Sequence, residues 1–84
     1  MPPHKGRTKD ESYMLNLYEE SCKRPDMDDP HDRYHIGHLT GLQETATDTI
    51  CQLLMRANFI VKRGEVEIAI TPHGIKLVES LKPQ

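Results

Sequence analysis

Apolar residues recur at helical spacing in three stretches of this chain and alternate in a fourth. In the first stretch Tyr13, Met14, Leu17, Tyr18 and Ser21 fall on one face, which predicts a helix over Asp10–Lys23. Asp10 and Glu11 suit its positive end, Lys23 and Arg24 suit its negative end, and Pro25 stops it. Asp26–Asp29 reads as a loop. Asp29-Pro30 then has the form of a helix start, with Asp as the cap and Pro where no amide bond is needed. A second helix is therefore expected from Pro30 to Thr40, and Gly41 is placed to end it in the left-handed conformation.

Thr45-Ala46-Thr47-Asp48 matches the capping-box pattern and opens a third predicted helix, Ala46–Ala57. Its expected buried stripe is Ile50, Leu53, Leu54 and Ala57, and Asn58 is its expected stop. Phe59–Lys62 is β-branched and aromatic, and Val66, Ile68 and Ile70 alternate with Glu65, Glu67 and Ala69. That pattern predicts two half-buried strands joined by a tip at Lys62-Arg63-Gly64-Glu65. Thr71-Pro72 repeats the helix-start logic, so a last helix is expected over Pro72–Leu81, burying Ile75, Val78 and Leu81. Residues 1–9, with Pro2, Pro3 and Gly6, read as a flexible basic tail, and residues 10–84 as a single domain.

Composition narrows the picture. A chain of 84 residues builds one modest core, and with no Trp and one Phe that core must be aliphatic. The formal net charge is −2, without the positive excess usual in a domain that holds nucleic acid by itself. The charge is sorted locally: His4, Lys5, Arg7 and Lys9 make the start basic, while Asp26, Asp28, Asp29 and Asp32 make the segment after the first helix acidic. Cys22 and Cys51 lack C-x-x-C spacing, and the N-terminus lacks an apolar leader, so two free thiols in a cytoplasmic protein are expected. No apolar run approaches the ~20 residues that cross a bilayer, so no membrane association is expected.

The order helix, helix, tight turn, helix, strand, strand, helix predicts an α+β fold, mainly α. The expected architecture is a winged helix-turn-helix with a three-helix core, a two-stranded β-hairpin wing and a C-terminal helix. Gly41-Leu42 with Thr45-Ala46-Thr47-Asp48-Thr49-Ile50 resembles the turn and recognition helix of winged-helix transcriptional regulators. Leu53-Leu54-Met55-Arg56-Ala57-Asn58-Phe59-Ile60 is similar to the helix end and apolar pair that follow it there. Thr71-Pro72-His73-Gly74-Ile75 resembles the entry to the helix after the wing in regulators of the multiple-antibiotic-resistance and phenolic-acid-regulator type. The resemblance covers about Asp29 to Leu81. It implies transcription regulation through double-stranded DNA, read by a homodimer across two half-sites. The same fold also serves as a protein-interaction module with little or no DNA binding, and the net charge of −2 with Glu44 and Asp48 favours that alternative.

By that resemblance, Gln43, Thr45, Thr49, Gln52 and Arg56 would face the major groove, with Lys62 and Arg63 on the wing. Asp48 and Glu44 stand against this, as carboxylates near phosphates, unless Asp48 serves only as a cap. Glu65 and Glu67 dilute the positive charge of the wing. The basic tail is either a minor-groove arm or an ordinary solubilising end. His31, His35 and His38 fall at i, i+4 and i+7 of the second predicted helix, an arrangement open to a transition metal or to a shared titration near pH 6.5, and equally that of ordinary surface histidines. Cys22 and Cys51 are most simply small buried residues, with Cys22, beside Lys23 and Arg24, the better thiol for redox chemistry. There is no phosphate-binding glycine loop, nucleophile elbow or metalloprotease motif, so neither enzyme activity nor a cofactor is expected.

Overall fold

The computed structural model describes residues 8–81, which form α1 (Lys9–Cys22), β1 (His31–Asp32), α2 (Arg33–Thr40), α3 (Glu44–Arg56), β2 (Ile60–Lys62), β3 (Glu67–Ile70) and α4 (Pro72–Leu81). The fold is α+β and mainly helical, and its sheet is antiparallel in the order β1-β3-β2. Among the described residues no helix is long and apolar enough to cross a membrane.

The capping box of the chain lies at Thr8, not at Thr45. The Thr8 hydroxyl accepts from the Glu11 amide at 3.3 Å, and the Glu11 carboxylate accepts from the Thr8 amide at 3.0 Å. Lys9, assigned by sequence to the tail, is therefore the first residue of α1, and Thr8 is its cap; the rest of that tail, with His4, Lys5 and Arg7, lies outside the described residues. α1 buries Tyr13, Met14, Leu17 and Ser21, the face its spacing predicts.

After α1 the chain departs from expectation. Residues 31 and 32 are extended and pair with β3, His31 opposite Ile68 and Asp32 opposite Glu67. Helix α2 consequently starts at Arg33 rather than Pro30, capped by Asp32, whose carboxylate accepts from the Tyr34 amide at 2.8 Å. The expected two-stranded hairpin is thus a three-stranded sheet, with β3 in the middle. Gly41 ends α2 at φ 83, and the Gly41 and Leu42 amides donate to His38 and Gly37 carbonyls at 3.0 and 2.8 Å.

Helix α3 begins at Glu44, with Gln43 at its cap position and no side-chain cap bond. Its buried residues are Thr47, Cys51 and Leu54, whereas Leu53 is 52% exposed and Ala57 is exposed. The stripe expected at Ile50, Leu53, Leu54 and Ala57 is therefore rotated towards smaller side chains. The cause is close packing: a methyl on Gly37 would stand 2.2 Å from Thr47 Oγ1, and the Cys51 thiol donates to the Tyr13 hydroxyl at 3.2 Å. Gly37→Ala should cost about 1–3 kcal/mol by overpacking. Thr47→Ala in the same chain should recover much of that loss, a coupling that urea unfolding of both single variants and the double variant measures.

Asn58 takes the positive φ its position predicts (66), and turns the chain into β2. β2 and β3 pair with Ile60 opposite Ile70 and Val61 opposite Ala69. Ile60, Ile68 and Ile70 join Tyr13, Met14, Leu17, Ile36, Leu42, Cys51, Leu54 and Val78 in one core, aliphatic apart from Tyr13 and Cys51. Thr71 caps α4, its hydroxyl accepting from the Gly74 amide at 2.9 Å. In α4, Val78 is fully buried and Ile75 and Leu81 are half-buried.

Candidate nucleic-acid interface

Opposite the buried stripe of α3, Thr45, Thr49, Gln52 and Arg56 stand at i, i+4, i+7 and i+11, a spacing that keeps them on one helical face. All four are exposed, as is Gln43 at the cap. Lys62 is exposed at the end of β2, opposite Ile68, and Arg63 is exposed at the tip. The tip is closed by the Arg63 and Gly64 amides, which donate to the Glu67 carbonyl at 2.9 and 3.3 Å. Among the described residues the side chains of Gln43, Thr45, Gln52, Arg56, Lys62 and Arg63 have no internal partner, and Thr49 makes one bond, donating to the Thr45 carbonyl at 3.1 Å.

Asp48, the carboxylate that sequence sets against a phosphate surface, is neither a cap nor free. Its Oδ1 accepts from the Tyr34 hydroxyl at 2.7 Å and lies 3.5 Å from Arg33 Nη1. The Tyr34 hydroxyl is held above its usual pKa, chiefly by this bond to Asp48. Glu44, Glu65 and Glu67 remain exposed.

Arg33 is the residue that sequence reasoning missed. Its Nη2 donates to the Glu65 carbonyl at 2.7 Å and its Nε to the Val66 carbonyl at 3.1 Å, and its own amide also donates to Val66 at 3.1 Å. One guanidinium thus ties the hairpin loop to the second turn of α3 and sits 5.8 Å from the Tyr34 ring. The Arg33 carbonyl accepts from the Tyr13 hydroxyl at 2.8 Å, which joins this clamp to the core. Tyr13 is pushed far above its usual pKa by burial, so it stays a neutral donor. No local pattern could have flagged Arg33, because its acceptors are backbone carbonyls more than thirty positions away.

The histidines do not share a face. His31 lies on β1 and is buried, whereas His35 and His38 are exposed on α2. Among the described residues no group of three His, Cys, Asp or Glu side chains is arranged to hold a metal. The Ser21 hydroxyl donates to the Leu17 carbonyl at 2.8 Å, so it can only accept from His31 Nε2, 3.3 Å away. That fixes the Nε2–H tautomer. Burial, reinforced by Arg24, lowers the His31 pKa below the ordinary 6.5. The unfolded chain therefore binds the proton more tightly. His31 contributes its full stability above about pH 6.5 and loses it as pH falls from there towards its folded value. Unfolding midpoints should fall between pH 7.5 and pH 5, and His31→Gln, which keeps a donor for Ser21, should flatten that part of the profile.

Cys51 is buried and its thiol pKa is raised by burial, which makes it a poor nucleophile. Cys22 is exposed, contrary to the expectation of a buried residue. Compared with protein-family models, curated proteins and solved structures, the chain matches none.

Proposed function

We propose that the chain is a winged-helix module that binds double-stranded DNA, with α3 in the major groove and the β2–β3 hairpin as the wing against the adjacent backbone. On this reading α2, Gly41 and α3 are the helix-turn-helix, and regulation of transcription is the expected role. The observation that carries it is the outward face of α3. Thr45, Thr49, Gln52 and Arg56 are exposed there, while the neighbouring Asp48 carboxylate is engaged by Tyr34 and Arg33. Lys62 and Arg63 add two unpaired cations on a hairpin whose loop is tied to α3 by Arg33. Their charge complements phosphate despite the net −2 of the chain. A module of this size binds weakly alone, so affinity for a defined site is expected from two copies on two half-sites.

Replacing both Arg56 and Arg63 by Ala tests the surface. Binding to random duplex should weaken, and the slope of log K against log salt should fall by about 2. Unchanged binding would remove α3 and the wing from the account. The competing reading, a protein-interaction module, draws on Leu53 and Val61, 52% and 39% exposed on α3 and the adjoining β2. A stoichiometric protein partner that survives nuclease treatment would favour it.

A further inference from the structure

We infer that the α3 face is built to read A·T base pairs in the major groove rather than G·C pairs, an inference that rests on the DNA-binding reading above. The chemistry of the face is unusual in what it presents. Arg56 stands in the last turn, and the three earlier positions are Thr45, Thr49 and Gln52. Guanine is read by a fork of cationic donors on its O6 and N7, and the first turns of α3 carry none. Adenine is read by a side-chain amide that donates to N7 and accepts from N6, and Gln52 is an exposed amide without an internal partner.

Thymine adds a methyl group, and the face offers apolar surface to meet it. The Thr49 hydroxyl hydrogen is already committed to the Thr45 carbonyl, at 3.1 Å, so Thr49 presents chiefly its methyl and a lone pair. Leu53 beside it is 52% exposed, an apolar side chain that gains by covering a thymine methyl. Gln43, exposed at the cap with no bond to the helix, is a second amide at the end that enters the groove. Arg56, at the opposite end, is left to the phosphates. Asp48 and Glu44 would accept from a cytosine amino group, but Asp48 is held by Tyr34 and Arg33, so Glu44 alone could favour G·C.

The test uses the full 84-residue chain and fluorescein-labelled duplexes of equal length at low salt, one all A·T and one all G·C. The A·T duplex should bind about tenfold tighter. Exchanging thymine for uracil removes only the major-groove methyl and should weaken binding about fourfold for each contacted position. Gln52→Ala, an exposed change checked for fold by circular dichroism, should erase most of the preference. Equal binding of the two duplexes, or tighter binding of G·C, would overturn the inference and leave DNA binding standing. So would an A·T preference that survives both uracil and Gln52→Ala, the signature of a basic segment in a narrow minor groove. No binding to either duplex would overturn the DNA reading itself.

Discussion

Gly74→Ala should cost about 3 kcal/mol or more, a large share of the stability of a domain this small. Gly74 lies in the first turn of α4 without a positive φ, so its need for glycine is one of space. An added methyl would stand 2.2 Å from the Phe59 carbonyl oxygen, 2.9 Å from Met14 Cε and 3.0 Å from Ile70 Cγ1. Met14 could move, but the Phe59 carbonyl is backbone and is fixed by the Thr71 amide, which donates to it at 3.1 Å. The Phe59 ring is also stacked on His73, at 4.8 Å. Relief therefore means separating α4 from the entry to β2, and with it from the core. The ordinary gain of Ala over Gly in a helix, about 1 kcal/mol, is too small to offset this. Urea unfolding should give a much lower midpoint with an unchanged slope. Gly41→Ala is the instructive contrast, since a methyl there meets nothing within 4 Å and the cost is only that of φ 83, about 1 kcal/mol.

Arg33→Leu should cost about 2–3 kcal/mol and, separately, loosen the hairpin. The Arg33 side chain is 12% exposed, and removing its charge leaves the Glu65 carbonyl without a charged donor and Asp48 with Tyr34 alone. Asp48 is 45% exposed, so water softens its share of the loss. Amide exchange should accelerate through residues 63–66 beyond what the global change explains. If the wing works as proposed, DNA affinity should fall even under conditions where the variant is fully folded. Adding Arg63→Ala should then cost little more, because the tip is already misplaced. Full additivity of the two changes would mean that Arg33 is structural only.

The C-terminal ends of α2 and α3 and the start of α4 were legible because each rests on a local backbone requirement, whereas the starts of α2 and α3, at Arg33 and Glu44, were not. Gly41 and Asn58 both take the positive φ their positions call for, and Thr71-Pro72 opens α4. Ile68 and Ile70 mark β3 as expected, but the strand starts only at Glu67, leaving Val66 outside it, and Ala69, expected on the outward face, is fully buried as well. β1 was not legible, since His31 and Asp32 have no strand character of their own. They are held by β3 on one side and by the bond between His31 and Ser21 on the other.

The buried face of α3 was misjudged for a related reason. Thr47 and Cys51 are buried because Gly37 and Tyr13 leave room for small side chains, and hydrophobicity alone selects Leu53 instead. The outward face remained legible despite the rotation, because Thr45, Thr49, Gln52 and Arg56 form the longest polar row on that helix. The clamp that joins α3 to the hairpin was invisible, because Asp48, Tyr34, Arg33 and the carbonyls of Glu65 and Val66 meet only in the folded chain.

A fluorescence-anisotropy titration of the full chain with random-sequence duplex DNA, at low and at moderate salt, tests the central claim most directly. Micromolar binding at low salt that weakens steeply as salt rises is the predicted result, the mark of phosphate contacts by Arg56, Lys62 and Arg63. Absence of binding at low salt, with the chain folded, would contradict it.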